Sequence, residues 1–123
     1  DLGALAYLHG NTFLDLVHTT GPFAGNAAIR WDFLWQELSR AYDSLGMLSE
    51  RLPAVKPEIC SAVSGLFKSK AVVSKRLVQP MLIILRKHSD GLPRSLHRLR
   101  AYEHAAKIYE VVGRNGLFLP PQE

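Results

Sequence analysis

From Trp31 to Leu52, apolar residues recur at alternating intervals of three and four: Trp31, Leu34, Leu38, Ala41, Leu45, Leu48 and Leu52. Only a helix gathers that spacing onto one face, since a strand gathers every second residue. A helix with one apolar face needs other elements to cover it, so the stripe already demands a packed, largely helical body. Asn26 offers an N-cap before Ala27, and Pro53 ends the pattern. Gly46 falls inside the stripe and costs about 1 kcal/mol relative to alanine. One buried leucine contributes roughly 1.5–3 kcal/mol, so the stripe tolerates it. Trp35 and Tyr42 widen the apolar face. Trp31, Trp35 and Tyr42 are also the residue types that anchor interfaces. The seam therefore reads as the chain's own core, with a homodimer or partner-helix groove as the alternative.

The rest of the chain reads as helix after helix. Pro57 and Glu58 open a second helix, with Ile59, Val63, Leu66 and Phe67 as its apolar face and a break between Gly65 and Lys70. Ala71 to His88 is a third, interrupted by Pro80, which clashes with the carbonyl of Arg76. Met81 to Leu85 is apolar all round and calls for a central position. Ser89 to Pro93 is a turn. Arg94 to Val112 forms the last helix, with Leu96, Leu99, Tyr102, Ala106 and Tyr109 as its core stripe and Gly113 as its cap. Residues 1–26 are the hardest to read: a short helix over Leu2–Leu8 stopped at Gly10, then Thr12–His18 as a strand or a single helical turn, then a loop. The expected architecture is all-α, an antiparallel bundle of four to five helices. An irregular N-terminal lead (1–26) packs on the bundle (27–113), and an extended tail (114–123) follows, one domain in all.

Composition excludes several classes. The chain is 47% apolar and 21% charged over 123 residues, which suits a globular core and argues against disorder. The longest aliphatic run is the five residues Met81–Leu85, far short of the ~20 a spanning helix needs. Cys60 is the lone cysteine, so no internal disulfide forms; this fits an intracellular, reducing compartment. The chain opens on Asp1 rather than Met, which reads as processing or excision from a longer protein, so targeting segments and compartment stay open.

Charge is sorted along the sequence. Lys68 to Arg100 holds nine basic residues against Asp90 alone, whereas residues 1–50 hold two basic residues against six acidic ones. On the last helix His97, Arg100, His104 and Lys107 fall on one stripe, with Arg94 and Arg98 beside it; on the third, Lys75 and Arg86 are flanked by Arg76 and Lys87. Were the two helices antiparallel neighbours, these residues would merge into one basic face. An ordinary solvated face mixes both signs, and the scarcity of acids raises the binding reading above that plain one. Such a face takes carboxylates or phosphates.

Other constellations are weaker. Asp15 and His18 sit three residues apart near His9, but no zinc-type spacing accompanies the five histidines. Cys60 sits near a helix start, where thiols can be activated, yet Ile59 and Val63 flank it and a core thiol is the simpler reading. The Gly21–Asn26 loop lacks the Lys-Ser/Thr of a phosphate loop. No metal, cofactor or catalytic group is expected. The expected function is a non-enzymatic interaction module, an adaptor or scaffold element of a larger assembly. It would dock an acidic protein segment on Lys75, Arg76, Arg86, Lys87, Arg94, Arg98, Arg100, His104 and Lys107. The alternative is RNA or DNA binding by the same residues, read through phosphates, because aromatics for base stacking are few.

Overall fold

The computed structural model describes residues 2–60 and 71–114. Its elements are α1 (Leu2–Leu16), α2 (Ala27–Ser44), one 3-10 turn (Pro57–Ile59), α3 (Ala71–Arg76), α4 (Val78–Lys87) and α5 (Pro93–Arg114). The chain is an all-α helical bundle, as the periodicity predicts. Helix α4 lies between α2 and α5, and α1 packs on α3. Val78, Pro80, Met81, Leu82 and Ile84 of α4 are buried, in keeping with the central position expected for this run. Phe13, Leu34, Leu38, Tyr42, Leu77 and Tyr102 complete the fully covered core.

The N-terminal segment is the main correction. Leu2–Leu16 is one unbroken helix, neither a short helix stopped at Gly10 nor a strand. A mid-helix glycine costs about 1 kcal/mol, less than the roughly 1.5–3 kcal/mol from burying any one of Leu5, Phe13 or Leu16. The buried set on α1 is Leu5, His9, Thr12, Phe13 and Leu16, a helical stripe in which two members are polar. Those two broke the apolar pattern and hid the helix. After it, Gly21 sits where a Cβ would come within 2.6 Å of the Leu16 carbonyl oxygen, so only glycine fits the turn.

Helix α2 starts where expected: the Ile29 N–H donates to Asn26 Oδ1 at 3.0 Å. It ends eight residues early. Gly46 adopts φ +67°, its N–H bonds the Asp43 carbonyl at 3.0 Å, and the Met47 N–H reaches back to Tyr42 at 3.0 Å. This is a Schellman cap, with Gly46 as its left-handed residue. Leu45 and Leu48 are therefore exposed, at 41% and 89%, and Leu52 is buried from an irregular segment instead.

Pro80 acts as anticipated. Without an N–H for the Arg76 carbonyl, the helical ladder breaks at Leu77, whose own N–H bonds Val73 and Ser74 at 3.0 and 3.3 Å. Helix α5 runs through Gly113 to Arg114, so that glycine is not the cap. Of the second expected helix, only the turn Pro57–Ile59 falls within the described residues. Its remainder, with Lys68 and Lys70, lies outside them, as does the 117–121 tail.

Candidate interaction surface

A polar seam joins α1 to α5. His9 is fully buried; its Nε2 lies 2.8 Å from the Ser74 carbonyl and its Nδ1 2.7 Å from the Tyr102 hydroxyl. A carbonyl only accepts, so Nε2–H donates to Ser74 and Nδ1 accepts from Tyr102. Burial pushes the imidazole pKa down to about 4, against the opposing hydrogen bond to Ser74. Burial likewise drives the Tyr102 phenol well above its ordinary value. One turn along, Thr12 donates to the Leu8 carbonyl at 2.6 Å and accepts from Arg98 at 2.9 Å. Arg98 also pairs with Asp15, whose other oxygen meets Arg94 at 2.9 Å. Residues 9, 12 and 15 thus face 102, 98 and 94 in order, so α1 and α5 run antiparallel.

The acidic half meets the basic half of the same chain elsewhere too. Glu37 on α2 receives Lys87 at 2.9 and 3.1 Å, and His88 and Arg40 at 3.6 Å. Burial opposes ionisation of Glu37, but Lys87 and His88 outweigh it, and the carboxyl ends below its ordinary value. Arg86 on α4 meets Glu103 on α5 at 3.3 Å. Arg51 meets Asp43 at 2.7 Å and lies 5.1 Å over the Tyr42 ring, closing the end of α2.

The nine residues expected to form one basic face consequently point several ways. Arg94 and Arg98 turn to α1, Lys87 turns to α2, and Lys75 stands 5.9 Å over the Tyr109 ring. Arg76 is exposed near Tyr42, apart from the α5 row. Arg100, His104 and Lys107 remain: exposed, at spacings of four and three along α5, and with no ion-pair partner among the described residues. They line an open concavity with Arg86, Glu103 and Glu110. Beside it, an apolar groove of about 210 Å³ separates the start of α1 from the middle of α5, and His104 borders both.

The remaining candidates resolve otherwise. Trp31 and Tyr42, weighed as interface anchors, are 8% and 0% exposed in the chain's own core; Trp35 is half-buried against the same core. His9, Asp15 and His18 do not converge: His18 bonds Thr20 at 3.0 Å, while the other two face α3 and α5. Among the described residues no three of His, Cys, Asp and Glu gather in a metal-binding group. Cys60 is buried in extended backbone, its thiol 3.8 Å from the Gly10 carbonyl and pushed up to about 11 by burial. Among the described residues no helix is long and apolar enough to cross a membrane.

The seam residues His9, Thr12 and Tyr102 had no role in the charge pattern. Their signal was two polar stripes at helical spacing on separate helices, His9-Thr12-Asp15 in steps of three and Arg94-Arg98-Tyr102 in steps of four. Compared with known families, curated proteins and solved structures, the chain matches none.

Proposed function

We propose that the chain is a non-enzymatic helical interaction module that holds an acidic segment of another protein against the outward row Arg100, His104 and Lys107 of α5. The observation supporting this is that the row makes no ion pair among the described residues. Arg86, Lys87, Arg94 and Arg98 already hold carboxylates of their own chain, while Arg100 and Lys107 stand exposed two helical turns apart, beside Glu103 and Glu110 but bonded to neither. Exposed cations of this kind speed and orient the approach of an acidic partner. Phosphate binding by the same row is the weaker reading, because a row of three residues neutralises few phosphates and affinity for nucleic acid is built from many such contacts.

The test is fluorescence anisotropy with a labelled glutamate-rich peptide and, in parallel, random RNA and duplex DNA pools. Binding of the peptide should weaken at least about tenfold in Arg100→Ala/Lys107→Ala and stay within about twofold in the Arg94→Ala control. Equal peptide binding by the double variant and the parent overturns the reading. Nucleic-acid binding that falls steeply with salt, with no peptide binding, replaces it by the phosphate alternative.

A further inference from the structure

We propose that the apolar groove beside that row is the anchoring subsite for an amphipathic helix. A large apolar side chain of the partner would seat between α1 and α5, and carboxylates seven residues apart would meet Arg100 and Lys107. The inference rests on the reading above and narrows its partner from an acidic segment to an acidic, one-sided helix.

The antiparallel register locates the groove. Polar contacts fasten α1 to α5 from His9–Tyr102 down to Asp15–Arg94. On the other side of His9 the bonds described between the two helices stop, and the facing side chains become Ala4, Leu5 and Leu8 against Ala101, Ala105 and Ile108. Alanines at three of those positions leave the gap unfilled. Its volume of about 210 Å³ falls below the ~300–1,000 Å³ of small-molecule sites. It exceeds the ~150 Å³ cavity that accepts a benzene ring, so it suits one Phe or Leu side chain. Ile108 is 46% exposed at its edge. Scattered apolar residues need no explanation, but one at the lip of an apolar concavity supplies a contact surface.

Three observations select the occupant. A cleft between two helices accepts a third helix through its i, i+4 anchors. Its α5 border carries the unpaired cations, and His104 lines both the apolar groove and the charged concavity, so one ligand spans both. Arg100 and Lys107 stand seven residues apart, about 10.5 Å along α5, which equals the i, i+7 rise of a second helix lying alongside.

The test selects binders from a displayed library of random helical peptides, then measures the enriched peptide by anisotropy against three variants whose folding is checked by circular dichroism. Selected peptides should carry an apolar ridge flanked by glutamates or aspartates. Affinity should drop at least about tenfold in the groove-filling variant Ala101→Phe, in Ile108→Asn, and in Arg100→Glu/Lys107→Glu. Ala101 is exposed, so its enlargement leaves the core intact; Ile108→Asn provides an independent loss without added volume or charge. Loss in the charge variant alone keeps the docking function and sinks the groove. Loss in neither class sinks both, and loss in the groove variants alone sinks the acidic partner. Absence of enriched binders, or a dimer by light scattering that Ala101→Phe dissolves, also overturns the proposal.

Discussion

Acid should destabilise this fold through one residue, His9. Its folded-state pKa is about 4 against an ordinary value of 6.5. Between those values the unfolded chain binds a proton that the folded chain refuses. Stability from His9 is therefore complete above pH 6.5, declines as pH falls toward 4, and is fully lost below that. The difference of 2.5 units, at about 1.36 kcal/mol per unit, gives a loss of about 3 kcal/mol. That is a large share of the ~5–15 kcal/mol that holds a domain folded. Burial explains the refusal: the ring is shut off from water, and a charged imidazole there would lose its hydration. The assay is urea unfolding of the parent chain and His9→Gln at half-unit steps from pH 7 to 4.5. The parent should lose stability at about 1.4 kcal/mol per unit once below pH 6, relative to the variant. Glu37 and Asp90, whose carboxyls lie below their ordinary values, add their losses only at lower pH and equally in both proteins. Parallel curves for the parent and His9→Gln refute the buried, neutral imidazole.

Three further outcomes follow from the same geometry. Arg98→Ala should cost about 1–3 kcal/mol because it strips Asp15 and Thr12 of a poorly exposed partner. Arg94→Ala, whose side chain is 77% exposed, should cost about 0–1 kcal/mol; equal costs in urea unfolding contradict the seam. Leu48→Ala should change stability by less than about 0.5 kcal/mol, whereas Leu34→Ala should cost about 2–5 kcal/mol. A large loss at Leu48 would return the helix to Pro53. Cys60 should react with Ellman's reagent at pH 8 far more slowly in native than in urea-unfolded protein, its thiol being buried and held near 11.

What the sequence made legible was what local rules govern. Asn26 capped α2, Pro80 broke the third helix next to Arg76, and the apolar run of α4 went to the centre. The failures have equally local causes. The stripe of α2 continued in phase through Leu45 and Leu48, and nothing in the spacing reveals that Gly46 turns left-handed and ends the helix. Helix α1 was hidden because His9 and Thr12 stand where apolar residues were sought, and their partners lie 93 and 86 residues away. The ion pairs that divide the basic residues are hidden for the same reason. Counting charges along the chain sees the scarcity of acids near Arg94 and Arg98 but not Asp15, brought to both by the antiparallel register of α1 and α5. The pairings that decide the site are long-range, and one-dimensional patterns do not carry them.

The central claim is that carboxylates of the same chain hold Arg86, Lys87, Arg94 and Arg98, while Arg100, His104 and Lys107 form an exposed row on α5 that meets an acidic partner. Heteronuclear NMR titration of the folded chain with the glutamate-rich peptide tests it most directly. Shift changes should centre on residues 100–108 and reach the start of α1 at residues 4–8, while the resonances of Lys87, Arg94 and Arg98 hold still. Changes centred on Arg94 and Arg98, with the α5 row silent, would contradict the account.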